Sequence, residues 1–213
     1  MSANPAISAE HKEDILHAAI AEFGRVGYGA ASTNEIVKNA KVSKGLLFHY
    51  FTNKKKLYTA CQLYVMEQYG KFMAKHFEFP STDLFDRILY GLKIKMEFGR
   101  KNPEFLTITN RARYLEAEES LLTRPEAHES IAEFMQQFTT AFFDGIDTSR
   151  FREGIELAKV MDYTRLAMEA SWVRFSHKHN NDIDAMVKDI DSYFKEAEEI
   201  VSLLRDGAYK NEI

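Results

Sequence analysis

The chain is poor in residues that break or cross-link a fold: of 213 residues, four are proline and one is cysteine. With Cys61 alone, no disulfide can form within the chain, and a cytoplasmic location is expected. On a helix this residue reads as a small buried side chain. No run approaches the roughly 18 consecutive apolar residues that a membrane span needs, so no membrane partner is expected. The opening stretch MSANPAISAEHKED lacks the basic and apolar regions of a secretory leader. Alternating strand patterns with hairpin turns are missing, as are internal repeats and low-complexity segments. Pro80, Pro103 and Pro125 fall between helical patterns. These absences leave an all-α fold.

An excess of positive charge is missing too, since the whole chain carries −4. The distribution says more than the total. Residues 1–56 hold eight basic and five acidic side chains, which leaves −7 on the remainder. Between Thr33 and Lys56 six basic residues face one acidic residue. A basic patch on an acidic protein suits phosphate, although an ordinary solvated face has the same composition.

Periodicity and capping residues place the helices. Ser8 is an N-cap candidate for a first helix over 8–26, with Ile15, Leu16, Ala19, Ile20 and Phe23 as its apolar stripe. Gly24, Gly27 and Gly29 read as the turn that closes it. Thr33 is expected to cap a short second helix to about Ala40, and Ser43 a third to about Tyr50. Asn53 would cap a fourth helix reaching about Phe77. Further helices are expected at 82–101, 103–117, 125–145, 152–178 and 182–206. The last carries a continuous stripe from Ile183 through Met186, Ile190, Phe194, Ala197 and Val201 to Leu204. The 152–178 helix is apolar on more than one side. It therefore needs two partners, one of which could be a second subunit; a deeply buried helix in a monomer is the other reading.

The stretch TNEIVKNAKVSKGLLFHYF, Thr33 to Phe51, contains two short helices separated by a few residues, which is helix-turn-helix geometry. Ile36, Val37, Ala40, Val42, Leu47 and Phe51 would hold the pair against the first helix. Lys44, Gly45, Leu46, His49 and Tyr50 would remain outside. Lysine and histidine can donate to phosphates or base acceptors, glycine allows close backbone approach, and leucine can meet a thymine methyl. The lysines and the first amides of the next helix, from Asn53, suit one phosphate.

Residues 15–57, ILHAAIAEFGRVGYGAASTNEIVKNAKVSKGLLFHYFTNKKKL, resemble the DNA-binding domain of the TetR family of bacterial regulators. The resemblance rests on Ile15, Leu16, Ala18, Ala19, Phe23, Gly27, Tyr28, Thr33, Ile36, Ala40, Val42, Ser43, Lys44, Gly45, Leu47, Tyr50, Phe51, Lys54 and Leu57. It implies a DNA-binding domain over 1–52 with a three-helix core, and a larger helical ligand-binding and dimerisation domain over 53–213. It implies that Thr33, Tyr50 and Lys54 contact phosphates and that Lys44, Gly45, Leu46 and His49 face base edges, with Lys55 strengthening nonspecific binding. Three positions depart from the family pattern. Phe48 replaces a tyrosine, Lys55 a frequent glutamate, and Lys41 a glycine. The lysine at 41 either adds a phosphate contact or strains the turn.

The resemblance further implies a transcriptional regulator, a repressor released from a palindromic double-stranded operator by a partly hydrophobic small-molecule inducer. It implies a homodimer through the last two long helices, with no cofactor, no metal and no catalysis. Candidate inducer contacts are Tyr90, Met96, Phe98, Tyr114, Phe134, Phe138, Met168 and Trp172, chosen as aromatic or sulfur-bearing residues on the flanking helices. The competing reading is a helical ligand-binding or metal-binding enzyme bundle without DNA function. No glycine-rich phosphate loop, HExxH or paired Glu-x-x-His segment supports it, and two histidines spaced as His177 and His179 point apart on a helix.

Overall fold

The computed structural model describes residues 5–76, 78–114 and 129–210. Its helices are α1 (Pro5–Ala30), α2 (Thr33–Asn39), α3 (Lys44–Phe51), α4 (Lys54–Ala74), α5 (Leu84–Lys101), α6 (Pro103–Tyr114), α7 (Glu129–Phe143), α8 (Leu157–Lys178), α9 (Ile183–Lys188) and α10 (Ile190–Ala208). A 3-10 turn lies at Thr148–Arg150, and an isolated antiparallel bridge joins Phe151 to Tyr209. The far end of the helix expected at 103–117 and the start of the one expected at 125–145 lie outside the described residues.

The chain forms two compact units: residues 1–72 with 102–136, and residues 73–101 with 137–213. In the first, the stripe of α1 (Ile15, Leu16, Ala19, Ile20 and Phe23) is buried as its spacing requires. It meets buried Ile36 of α2, Leu47 and Phe51 of α3, and Leu57, Tyr58 and Cys61 of α4. Phe23 sits edge-on to Tyr58 at 4.8 Å. Burying a side chain of that size contributes about 1.5–3 kcal/mol, so this aromatic pair is a main fastening of α1 to α4. Burial also pushes the Cys61 thiol well above its ordinary value, which leaves no reactive thiolate there.

The glycine-rich turn expected after α1 is instead a kink. Gly27 has φ 83°, open to a residue without Cβ, and the helix resumes to Ala30. Gly24 serves a close approach: a Cβ there would stand 3.0 Å from Cγ2 of Thr107 on α6. Beside this contact, Arg111 of α6 donates from Nε to the Gly24 carbonyl at 2.6 Å and from Nη2 to the Arg25 carbonyl at 3.2 Å. The guanidinium thus gives two carbonyls beside the kink a side-chain donor.

In the second unit Leu84, Phe85, Phe142, Phe151, Val160, Val201, Ala208 and Tyr209 form one buried cluster, and Phe175, Met186, Ile190 and Tyr193 another. Buried Asp83 caps α5, accepting from the Phe85 amide at 2.8 Å and the Asp86 amide at 3.1 Å, while Arg150 donates to its other oxygen at 2.5 Å. Buried Arg87 donates to the Phe142 and Asp144 carbonyls at 2.6 and 2.7 Å, which closes the end of α7.

The single helix expected over 182–206 is two. Asp182 caps α9 through the Ala185 amide, and Asp189 separates α9 from α10 with φ −102° and ψ 11°. The Asp189 carboxylate accepts from Lys178 at 3.1 Å and lies 2.9 Å from Nε2 of His179. The apolar spacing runs on through the break, because Met186 and Ile190 share one cluster on either side of it. Residues 152–156, expected to open a long helix, are extended or turning, with Gly154 at φ 79°, and α8 starts only at Leu157.

Candidate nucleic-acid interface

Helices α2 and α3 and the four residues between them form the helix-turn-helix. Each helix begins on a serine. Ser32, with extended backbone, accepts from the Glu35 amide at 3.5 Å, and Ser43 accepts from the Leu46 amide at 3.1 Å. The cap of α2 is therefore Ser32 and not Thr33, which is the first helical residue. Asn53 performs the same function for α4, accepting from the Lys56 amide at 2.8 Å. The turn is closed by the Val42 amide on the Val37 carbonyl at 3.0 Å, with Lys41 at φ 55°. That is the left-handed region, which strains a residue with Cβ.

A buried carboxylate holds the entry to α2. Glu22 accepts the Ser32 amide on one oxygen at 3.1 Å and the Arg25 guanidinium on the other at 2.6 Å. Burial works against the charge. The Arg25 guanidinium and the Ser32 N–H outweigh it, with help from nearby Lys54, and hold the Glu22 carboxyl below its ordinary value.

On α3, Leu47 and Phe51 face the core. Lys44, Gly45 and His49 are exposed, while Leu46 and Tyr50 are half-buried, as is Thr33 at the start of α2. Among the described residues nothing requires a glycine at 45, since an added Cβ would meet no atom closer than Oγ of Ser43 at 3.9 Å. Lys55 and Lys56 are exposed, as is Lys41. Lys54 is engaged internally: its ammonium donates to the Gly29 carbonyl at 3.0 Å and stands 5.0 Å over the Tyr28 ring. This ties the start of α4 to the end of α1. Asn34, which sequence reasoning passed over, accepts from Nζ of Lys44 at 3.0 Å. Ten residues separate the two, and no periodicity or spacing signals the pair.

The candidate ligand residues are distributed over both units, and Met168 packs on both buried clusters of the second. Phe134 belongs to the first unit, where its ring lies 6.1 Å from that of Tyr69 and abuts the Gly70 backbone. Tyr90 and Phe138 both adjoin Phe79, at 5.9 and 6.3 Å. Met96, Met168 and Trp172 pack on the Phe175–Tyr193 cluster, with Trp172 edge-on to Tyr193 at 5.0 Å. Phe98 is buried on α5. The Tyr114 side chain lies outside the described residues.

A shallow groove runs along α8, lined by Leu166, Glu169, Ala170, Val173, Arg174 and His177. Leu166 in this lining and Tyr163 on the same helix are about half exposed, and Leu203 of α10 is 73% exposed. Among the described residues no three acidic, histidine or cysteine side chains converge as metal ligands, and no helix is long and apolar enough to cross a membrane.

Residues 15–61 match the sequence model of the bacterial regulatory proteins of the tetR family. A 65-residue segment is 32% identical to the HTH-type transcriptional regulator BetI of Yersinia pestis (strain Pestoides F), covering 30% of this chain and 33% of that one. The match thus spans about a third of the length of the curated relative. Among solved structures, a TetR family transcription regulator from Marinobacter aquaeolei VT8 superposes with TM-score 0.62 at 16% identity, covering 98% of this chain and 100% of that one. SmeT, the repressor of the Stenotrophomonas maltophilia multidrug efflux pump SmeDEF, superposes with TM-score 0.59 at 14% identity, over 94% and 91% of the two chains. These two likenesses concern the fold.

Proposed function

We propose that this chain, a member of the tetR family of bacterial regulators by its match over residues 15–61, is a DNA-binding transcriptional regulator that represses from a palindromic operator and is released by a small molecule. The observation that carries this reading is the coincidence of the matched segment with a helix-turn-helix whose outer face offers Lys44, Gly45 and His49. A glycine that the protein's own packing does not need, on an exposed helix face, suits a partner's backbone or base edges at close range. On this reading 1–52 is the DNA-binding domain and 53–213 the ligand-binding and dimerisation domain, and the protein works in the cytoplasm beside its DNA.

The contacts divide by reach. Lys44, Gly45, Leu46 and His49 read bases, while Thr33, Tyr50 and Lys55 hold phosphates. Lys54 braces the interface by its bond to the Gly29 carbonyl and has two donors left for a phosphate. A recognition helix of eight residues reads few base pairs, so a second copy is required for a specific site. The exposed apolar residues Tyr163, Leu166 and Leu203 on α8 and α10 are the surface we assign to that second copy. The inducer is apolar in part, to suit methionine and aromatic neighbours such as Met96, Met168 and Trp172.

The test is a Lys44→Ala, His49→Ala double variant, which removes two exposed side chains and no core contact. Assayed by fluorescence anisotropy on a duplex selected from a random pool by the wild-type protein, it should lose at least about tenfold in affinity and keep its far-ultraviolet circular dichroism. Undiminished binding by a folded double variant would overturn the assignment.

A further inference from the structure

We infer that Asn34 is a positioning residue for sequence discrimination, holding Lys44 where it meets its base or phosphate acceptor. The inference rests on the DNA-binding reading above. Asn34 is the second residue of α2 and Lys44 the first of α3, and each helix start is held by a serine cap, Ser32 and Ser43. Both side chains are exposed, and Oδ1 of Asn34 accepts from Nζ of Lys44 at 3.0 Å.

A lysine ammonium is a strongly hydrated point charge on a flexible stem, so an unrestrained one gives attraction without direction. One hydrogen bond to a short side chain carried on the second residue of a capped helix restricts that stem before DNA arrives, and two of the three ammonium donors stay available. The chemistry of the partner matters as much as its place. A neutral amide oxygen fixes the ammonium and leaves its charge uncancelled. The adjacent carboxylate, Glu35, is occupied with Lys38 at 3.7 Å. Aspartate at position 34 would also hold Lys44, but it would cancel the charge and repel phosphate. Asparagine combines restraint with an intact positive charge.

The experiment is a thermodynamic cycle on the full chain, with anisotropy measured on the duplex selected by the wild type and on a scrambled duplex of equal length. Asn34→Ala should weaken the selected duplex about tenfold and the scrambled duplex less than twofold. In a Lys44→Ala background the same substitution should change neither by more than twofold, because the side chain it positions is gone. Asn34→Asp should lose more than Asn34→Ala and should show a shallower dependence of affinity on salt. Equal losses in the two backgrounds, or an unchanged selected-to-scrambled ratio for Asn34→Ala, would overturn the inference while leaving DNA binding intact. If the wild-type protein selects no duplex at all, the DNA-binding reading fails and this inference falls with it.

Discussion

Arg111 donates from Nε to the carbonyl of Gly24 at 2.6 Å, a bond that spans 87 residues and joins α6 to α1 just before the kink at Gly27. The second donor reaches the Arg25 carbonyl at 3.2 Å. Two helix carbonyls are thus satisfied by one side chain, and the helix that supports the helix-turn-helix is tied to α6. Arg111→Met keeps the apolar stem and removes both bonds, and it should cost about 1–3 kcal/mol by urea denaturation. Arg111→Lys should recover part of that. An Arg111→Met protein with an unshifted midpoint would show that the carbonyls are equally well served by water.

Glu22 links acidity to the same junction. Its carboxyl is held below its ordinary value in the folded chain, chiefly by Arg25 and the Ser32 N–H acting against burial. The stability it contributes is therefore present above the unfolded-state value, near 4.3 for glutamate, and is lost as pH falls through the lower folded value. Glu22→Gln should cost about 1–2 kcal/mol at pH 7 and flatten the acid limb of the stability curve. Parallel stability curves for the two proteins between pH 3 and 7 would refute this.

Lys41 has φ 55° in the helix-turn-helix turn, where the family pattern has glycine. The left-handed conformation costs a residue with Cβ about 1–2 kcal/mol, offset in part by the extra freedom glycine has when unfolded. Lys41→Gly should stabilise the chain by up to about 1 kcal/mol, seen as a rise of about 2–4 °C in melting midpoint. A lower midpoint would mean that the lysine side chain contributes more than its backbone costs.

Leu203 is 73% exposed on α10 and Leu166 is 48% exposed on α8. Removing α10 would be a poor test of dimerisation, because Tyr193, Ala197 and Val201 on the same helix are core residues. A Leu166→Asp, Leu203→Asp double variant leaves that core in place. It should sediment as a monomer at micromolar concentration and keep the helical signal of the wild type. A double variant that sediments as a dimer would place the subunit contact elsewhere.

Much of the molecule was legible in one dimension because helices advertise themselves locally. The stripe on α1, the serine before α3, the asparagine before α4 and the apolar residues Ile36, Leu47 and Phe51 are each signalled by the spacing of residues a few positions away, and each lies where that spacing predicts. The lysine in place of glycine at 41 reads as a phosphate contact or as strain in the turn, and its φ of 55° is the strained conformation. The match over residues 15–61 falls on this most local part of the chain. The choice of Thr33 as a cap missed by one residue, since two adjacent hydroxyls carry the same local signal and only the extended backbone of Ser32 separates them.

Tertiary structure decided much of the rest, through partners distant in sequence. The stripe over 182–206 reads as one helix because apolar spacing survives a break. The Asp189 carboxylate that marks the break is engaged by Lys178 and His179, about ten residues earlier. The bond from Lys54 to the Gly29 carbonyl, 25 residues away, has no signal in local spacing. Asn34 gains meaning only from Lys44, and Arg111 only from Gly24. Periodicity and capping record interactions within a turn or two of helix. A polar side chain's partner across the fold leaves no trace in local spacing, so the sequence by itself determined the helices and the helix-turn-helix, and only the folded chain decided which of its polar side chains pair with which.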